Sequence, residues 1–160
     1  MELDIREVAD GAVCARALFR YRYAQDPPEF PYHVVAFHRR ENAVEVPVCY
    51  VHFTALDEIL LGGGACVDNR VMRKMAPATR KAIRKRGGLY RMTLDWAIHY
   101  FAPKYAAIFG YCGDVLAERI DLAAGFEHTP HKKLLAYWTR KLPGTERDRL
   151  IAQAHAIGPF

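Results

Sequence analysis

The stretch that most constrains this chain is 106–126, AAIFGYCGDVLAERIDLAAGF, a buried strand that runs almost directly into a helix. Residues 106–112 form a short, nearly continuous apolar run between Pro103 and Gly113, the pattern of a strand covered on both faces. Asp114 follows the glycine as a helix N-cap, and Val115, Leu116, Arg119, Ile120 and Ala123 recur at helical spacing. Gly125 supplies a left-handed stop, and Phe126 returns to the core. A strand-helix unit of this kind belongs to an α/β chain.

The preceding residues supply antiparallel partners for that strand's sheet. Residues 2–8 alternate, with Leu3, Ile5 and Val8 to one side, as a first edge strand. Asp10-Gly11 opens a helix expected to reach Ala24, where Asp26-Pro27-Pro28 stops it. Strands at 32–38 and 44–54 read as a hairpin about the charged turn 39–42, with Tyr50 and His52 on one face of the second. A third strand, 58–68 (EILLGGGACVD), follows. Its Gly62, Gly63 and Gly64 weaken a strand interior unless a bulge or a close backbone approach requires them; the other reading is a glycine-rich bend in a meander.

The most basic segment comes next. Residues 69–91, NRVMRKMAPATRKAIRKRGGLYR, carry arginines and lysines without one carboxylate, as a loop followed by a short helix over 77–85. Gly87-Gly88 ends that helix, and a second runs over 89–101 until Pro103. Glycines opening a helix beside arginines form a phosphate cradle in principle, because helix-start amides and the dipole favour an anion. The register Arg84-Lys85-Arg86-Gly87-Gly88-Leu89 is preferred to the rival 73–78 because it leaves a helix of ordinary length before Ala106. Beyond Phe126, a turn-rich link leads to a strand at 134–139. A final helix at 147–156, opened by Thr145 and Asp148 in the manner of a capping box, packs Leu150, Ile151 and Ala154 inward.

At 160 residues, 51% hydrophobic and 26% charged, the chain is expected to form a single domain spanning 1–160. No apolar run reaches membrane-spanning length and the N-terminus lacks a signal-peptide core, so a cytoplasmic protein without membrane partners is expected. Cys14, Cys49, Cys66 and Cys112 show no CxxC spacing, which fits packed reduced thiols. His128 and His131 span Pro130 with no third ligand, so no metal is expected. The formal charge of +5 suits an acidic or phosphorylated partner.

Three features in one order carry a resemblance: the glycine-rich strand, the Arg84–Leu89 register and the 114–126 frame. They resemble the acyl-CoA-dependent N-acyltransferases of the GNAT superfamily. Many of those carry an Asn, then Ala three residues on, Tyr seven on, and Gly-Phe eleven and twelve on; here the frame reads Asp114, Ala117, Asp121, Gly125, Phe126. Asp114 replaces the usual Asn, and Asp121 stands where the family often has the Tyr that protonates the departing thiolate. The resemblance implies an α/β (α+β) fold with a mixed, mostly antiparallel sheet of six to seven strands flanked by helices. It makes 69–84 a basic insertion between the fourth strand and the third helix.

The resemblance also implies chemistry: transfer of an acetyl or other acyl group from acyl-CoA to an amine, within a ternary complex and without metal. The amides of Ala65, Cys66 and Val67 would pair with the pantetheine arm. Arg84, Lys85, Arg86, Gly87, Gly88 and Leu89 would hold the diphosphate, with Asp114 opening the neighbouring helix. Glu58, or Asp57 through a water, is the candidate base; Asp121 is the candidate acid, with Tyr111 and Tyr137 as alternatives. The acceptor is expected to be a small-molecule or peptide amine in a pocket built from 19–23, the Tyr50/His52 face and the link near His128. The donor is acetyl-CoA or another acyl-CoA, with acyl carrier protein an alternative carrier; a homodimer is left open. A second class of function is a non-enzymatic basic module that uses 69–91 to bind nucleic acid or an acidic protein, although the chain has no nucleic-acid motif.

Overall fold

The computed structural model describes residues 3–29, 32–40, 42 and 44–160. Glu2, at the head of the expected first strand, and Glu41, in the expected hairpin turn, lie outside the described residues. Seven strands form one sheet: β1 (Leu3–Glu7), β2 (Tyr32–Arg39), β3 (Glu45–Leu56), β4 (Ile59–Val67), β5 (Ala107–Tyr111), β6 (Glu127–His128) and β7 (Leu134–Trp138). Their order is β1-β2-β3-β4-β5-β7-β6. The β4–β5 pair is parallel, while β1–β2, β5–β7 and β6–β7 are antiparallel. The expected fold class, a mixed and mostly antiparallel sheet flanked by helices, is the one observed.

The chain divides into two compact units, Met1–His52 with Gly64–Ala97 and Phe53–Gly63 with Ile98–Phe160. In the first, helices cover both faces of the strands. On one face Leu18 and Phe19 pack with Val35, Phe37, Tyr50 and Cys66. On the other, Met75, Ile83, Leu89 and Met92 pack with Ala36, Val48 and Cys49.

The expected single helix after Asp10 is two, α1 (Gly11–Cys14) and α2 (Arg16–Tyr23), because fully buried Ala15 leaves helical geometry between them at φ −94, ψ 0. α1 lies so close to β2 that a Cβ on Gly11 would fall 2.1 Å from the Cβ of His33, so only glycine fits there.

The expected loop after β4 is also corrected. Asp68 caps a helix, α3 (Asn69–Lys74), by accepting the N–H groups of Arg70 and Val71. Met75 is extended, and Pro77 sits at the first position of α4 (Pro77–Lys85), ahead of α5 (Leu89–Phe101).

In the second unit, Ile59, Leu61, Phe109, Leu134 and Ala136 pack with Leu150 and Ala154 of α7 (Gly144–Ile157). α7 begins earlier than the sequence suggested, at Gly144 behind Pro143 and without a side-chain cap, so the expected Thr145–Asp148 capping box does not form. α6 (Val115–Ala124) opens on Asp114, whose carboxylate accepts the Leu116 N–H at 2.9 Å, and closes on Gly125 at φ 108. Its inward face differs from the expected one: Val115 and Leu116 are 79% and 62% exposed, while Asp121 is buried.

Candidate functional site

Hydrogen bonds at its two ends show that β4 does not alternate regularly. The Glu58 carbonyl accepts the Ala106 N–H at 2.7 Å, and the trans peptide therefore turns the Ile59 N–H to the opposite edge, toward β3. At the far end the Asp68 N–H donates to the Val48 carbonyl of β3 at 2.8 Å, which turns the Val67 carbonyl away from β3. Ile59 and Val67 are an even number of residues apart, so a regular strand would aim both at the same edge. They face opposite edges. An extra residue therefore interrupts the strand, and the parallel register with β5 ends at Gly62, the first of the three glycines.

Past this bulge the Val67 carbonyl points to the edge opposite β3, and regular alternation from there places Ala65 toward that edge and Cys66 toward β3. The Tyr23 hydroxyl donates to the Ala65 carbonyl at 2.7 Å, on that same edge. Gly64 is held differently: its N–H donates to Nε2 of His52 at 2.9 Å, so that nitrogen carries no proton. Burial, with a smaller effect from nearby His33, lowers the His52 pKa to about 4, and the ring is neutral at pH 7. A Cβ on Gly64 would come within 3.3 Å of the His52 ring and 3.5 Å of Phe19. Beneath this layer, Nδ1 of His33 and the hydroxyl of buried Tyr50 are hydrogen bonded at 2.8 Å, and burial holds the phenol pKa well above its usual range. Phe19 meets the Tyr50 ring edge-on at 5.7 Å and Tyr23 at 4.7 Å.

The α4–α5 joint is cationic, with Arg84, Lys85 and Arg86 exposed. Gly87 and Gly88 both take positive φ, 86 and 99, to reverse the chain. Their N–H groups close α4, donating to the Arg84 and Ile83 carbonyls at 3.1 and 3.0 Å. Those two amides, within the expected 84–89 cradle, are therefore engaged, and α5 starts at Leu89 with its side chain buried.

Glu58, Tyr111 and Asp121 have separate surroundings in the second unit. The Glu58 carboxylate is bound by Arg149, and Asp57 accepts from Gln153 at 2.9 Å. Tyr111 meets Phe160 edge-on, and Tyr137 packs on Phe126. Buried Asp121 accepts the Cys112 thiol at 2.8 Å, and burial together with this carboxylate raises the thiol pKa far above the ordinary range. Tyr23 contacting Ala65, His52 contacting Gly64 and the His33–Tyr50 pair went unrecognised as interactions. Their sequence signals were Tyr50 and His52 on the same strand face and the aromatic run 19–23, both assigned to the expected acceptor pocket.

Among the described residues, no helix is long and apolar enough to cross a membrane, and no group of three His, Cys, Asp or Glu side chains could hold a metal. No protein-family model and no curated protein matches the sequence. Solved structures do match. The ribosomal-protein-S18-alanine N-acetyltransferase from Escherichia coli is 11% identical, with a TM-score of 0.58 over 89% of this chain and 97% of that one. The ribosomal-protein-S5-alanine acetyltransferase from Vibrio fischeri is 12% identical, with a TM-score of 0.57 over 89% and 96%. A GNAT family acetyltransferase from Brucella melitensis, in complex with acetyl-CoA, is 13% identical, with a TM-score of 0.51 over 88% and 91%. At these identities the likeness is one of fold, and the fold is that of the GNAT acetyltransferases.

Proposed function

We propose that the protein is an N-acyltransferase, moving an acetyl or other acyl group from an acyl-CoA thioester to an amine by direct transfer while both substrates are bound. The bulge in β4 carries this reading. It turns the backbone groups of Ala65 and Val67 to an edge where an extended, amide-bearing arm such as pantetheine can pair as a strand would. Arg84, Lys85 and Arg86 beside the first turn of α5 suit the diphosphate of the same cofactor. Backbone donors positioned in advance supply rate through orientation and through stabilisation of the developing oxyanion.

The Tyr23 hydroxyl, at the same edge, is the group we assign to protonate the leaving thiolate. Buried Asp121, bonded to Cys112, suits that role less well. Glu58 serves as base only after its ion pair with Arg149 opens. The acceptor is a small-molecule or peptide amine. Peptides beginning with alanine are the first to try, because two of the fold's neighbours act on ribosomal-protein alanines.

Thermal melting with and without ligands tests the reading. Acetyl-CoA or CoA at 100 times its Kd stabilises the native state by about 2.7 kcal/mol. A stabilised protein that then releases free thiol in the presence of an amine supports the assignment. Loss of both responses, with acyl carrier protein also inert as donor, overturns it. A second reading rests on the exposed Arg70, Arg73, Lys74, Lys81, Arg84, Lys85 and Arg86 of α3, α4 and the joint after them: a basic module for a polyanion. It predicts binding to nucleic acid or an acidic protein that weakens steeply with salt and needs no thioester.

A further inference from the structure

One helix of the first unit joins the β4 edge to a row of cations. In α2, Arg16, Arg20 and Tyr23 recur at i, i+4 and i+7, and all three are exposed, so they stand in one row on the solvent side of the helix, clear of buried Leu18 and Phe19. Tyr23 ends the row. Its hydroxyl donates to the Ala65 carbonyl at 2.7 Å, where the proposed reaction places the departing sulfur. The Arg22 guanidinium lies 5.6 Å from the centre of the Tyr23 ring.

This helix carries Arg16, Arg20 and Arg22 and no acidic residue. Asp26 neutralises Arg20 in an ion pair, whereas Arg16 and Arg22 take part in none of the ion pairs of the described residues. A molecule that reaches the Tyr23 hydroxyl along α2 is therefore drawn in when it is anionic and repelled when it is cationic. It must also bring an amine able to attack a thioester. Nucleobase amines delocalise their lone pairs into the ring and attack poorly, while a peptide offers an aliphatic amine and carboxylates on one chain. Arg16 and Tyr23 are separated by about 10 Å of helix rise, the reach of about three residues of extended peptide.

We infer, resting on the acyltransferase reading, that the acceptor is a peptide whose N-terminal amine is followed within about three residues by carboxylates, and that Arg16 and Arg22 select it. The amine meets the Tyr23 end of the row while the acids pair with the two arginines. Neither arginine touches the reacting atoms, so both act on acceptor affinity and leave the chemical step to other groups.

Two peptides with the same neutral dye at the C-terminus, Ala-Asp-Gly-Asp-Gly and Ala-Lys-Gly-Lys-Gly, test this inference. Anisotropy with the CoA-saturated protein reads binding, and release of free thiol from acetyl-CoA reads transfer. The acidic peptide should bind about tenfold more tightly, by an advantage that shrinks as salt rises. Arg16→Gln and Arg22→Gln should each raise its KM about threefold rather than lower kcat, and the double substitution about tenfold. Equal affinity for the two peptides, preference for the basic one, or indifference to the double substitution overturns the inference. A single-stranded RNA that displaces the acidic peptide at lower concentration than the undyed peptide does so too, and makes the row a nucleic-acid surface. Selective, arginine-dependent binding of the acidic peptide with no transfer supports the surface and counts against the acyltransferase reading alone.

Discussion

The imidazole of His52 accepts the Gly64 N–H at 2.9 Å, and this bond ties a β3 side chain to the backbone of the β4 bulge. His52→Leu leaves that amide without its acceptor and should cost about 1–3 kcal/mol in urea unfolding at neutral pH. Burial of the ring, with a smaller effect from His33, also makes stability depend on pH. The folded-state pKa, near 4, is below the ordinary 6.5, so between these values the unfolded chain binds the extra proton. Stability is therefore full above pH 6.5 and declines as pH falls toward 4, by up to about 3 kcal/mol from this group. The Leu variant should lack that part of the decline; equal slopes in both proteins would remove His52 as its source.

Two glycines should respond differently to a single methyl. At Gly11 the new Cβ would meet the His33 Cβ at 2.1 Å, a clash of backbone-anchored atoms that only separation of α1 from β2 relieves. Gly11→Ala should cost about 3 kcal/mol or prevent folding. At Gly64 the nearest atoms, at 3.3 Å and beyond, belong to the rings of His52 and Phe19, which yield by a few tenths of an ångström. Gly64→Ala should cost no more than about 1 kcal/mol by the same unfolding assay.

Local signals made part of this architecture legible in the sequence. Asp114 and Gly125 bound α6 where capping chemistry puts them, and Pro77 and Gly87 bound α4 in the same way. α3 was obscured because its cap, Asp68, read as the last residue of a strand. The inward face of α6 was obscured because a carboxylate occupies it. Asp121 tolerates burial by accepting the Cys112 thiol, which a pattern of apolar residues does not reveal. The glycine triplet announced a bulge, but which amide each neighbour receives depends on strand register, a long-range property. Tyr23 reaches Ala65 across 42 positions of sequence for the same reason.

Tyr23→Phe separates a chemical role from a structural one. The phenol is 39% exposed and gives its proton to a carbonyl that water can also serve, so the variant should lose no more than about 1 kcal/mol of stability. Removal of a general acid lowers turnover by about 10²–10⁴-fold. Acetyl-CoA binding should be unchanged, measured by calorimetry, while kcat falls by at least that lower factor. A variant with full turnover would return the proton to water.

Thiol labelling should find Cys49, Cys66 and Cys112 unreactive until the protein unfolds. Burial pushes Cys49 and Cys66 up to about 12, and Cys112 is raised further by burial and by the Asp121 carboxylate. Iodoacetamide at mildly alkaline pH, followed by peptide mass mapping, should modify partly exposed Cys14 first. Rapid native-state labelling of Cys66 would contradict its packing with Phe19 and Tyr50.

Glu58→Gln tests whether the carboxylate at the start of β4 does chemistry or holds α7. Arg149 binds both Glu58 and Glu146, and the resulting network is exposed, so neutralising one acid should change stability by no more than about 1 kcal/mol. The amide keeps the size and one acceptor oxygen of the native side chain but cannot take a proton from an ammonium group. If Glu58 only holds Arg149, the pH dependence of kcat/KM stays where it is in the unmodified protein. If it is the base, the acidic limb of that profile disappears and turnover falls by at least about 10²-fold, with acyl-CoA affinity unchanged. Arg149→Gln distinguishes the two further: it frees the carboxylate, so a catalytic Glu58 becomes more available and a structural one changes nothing but the melting temperature.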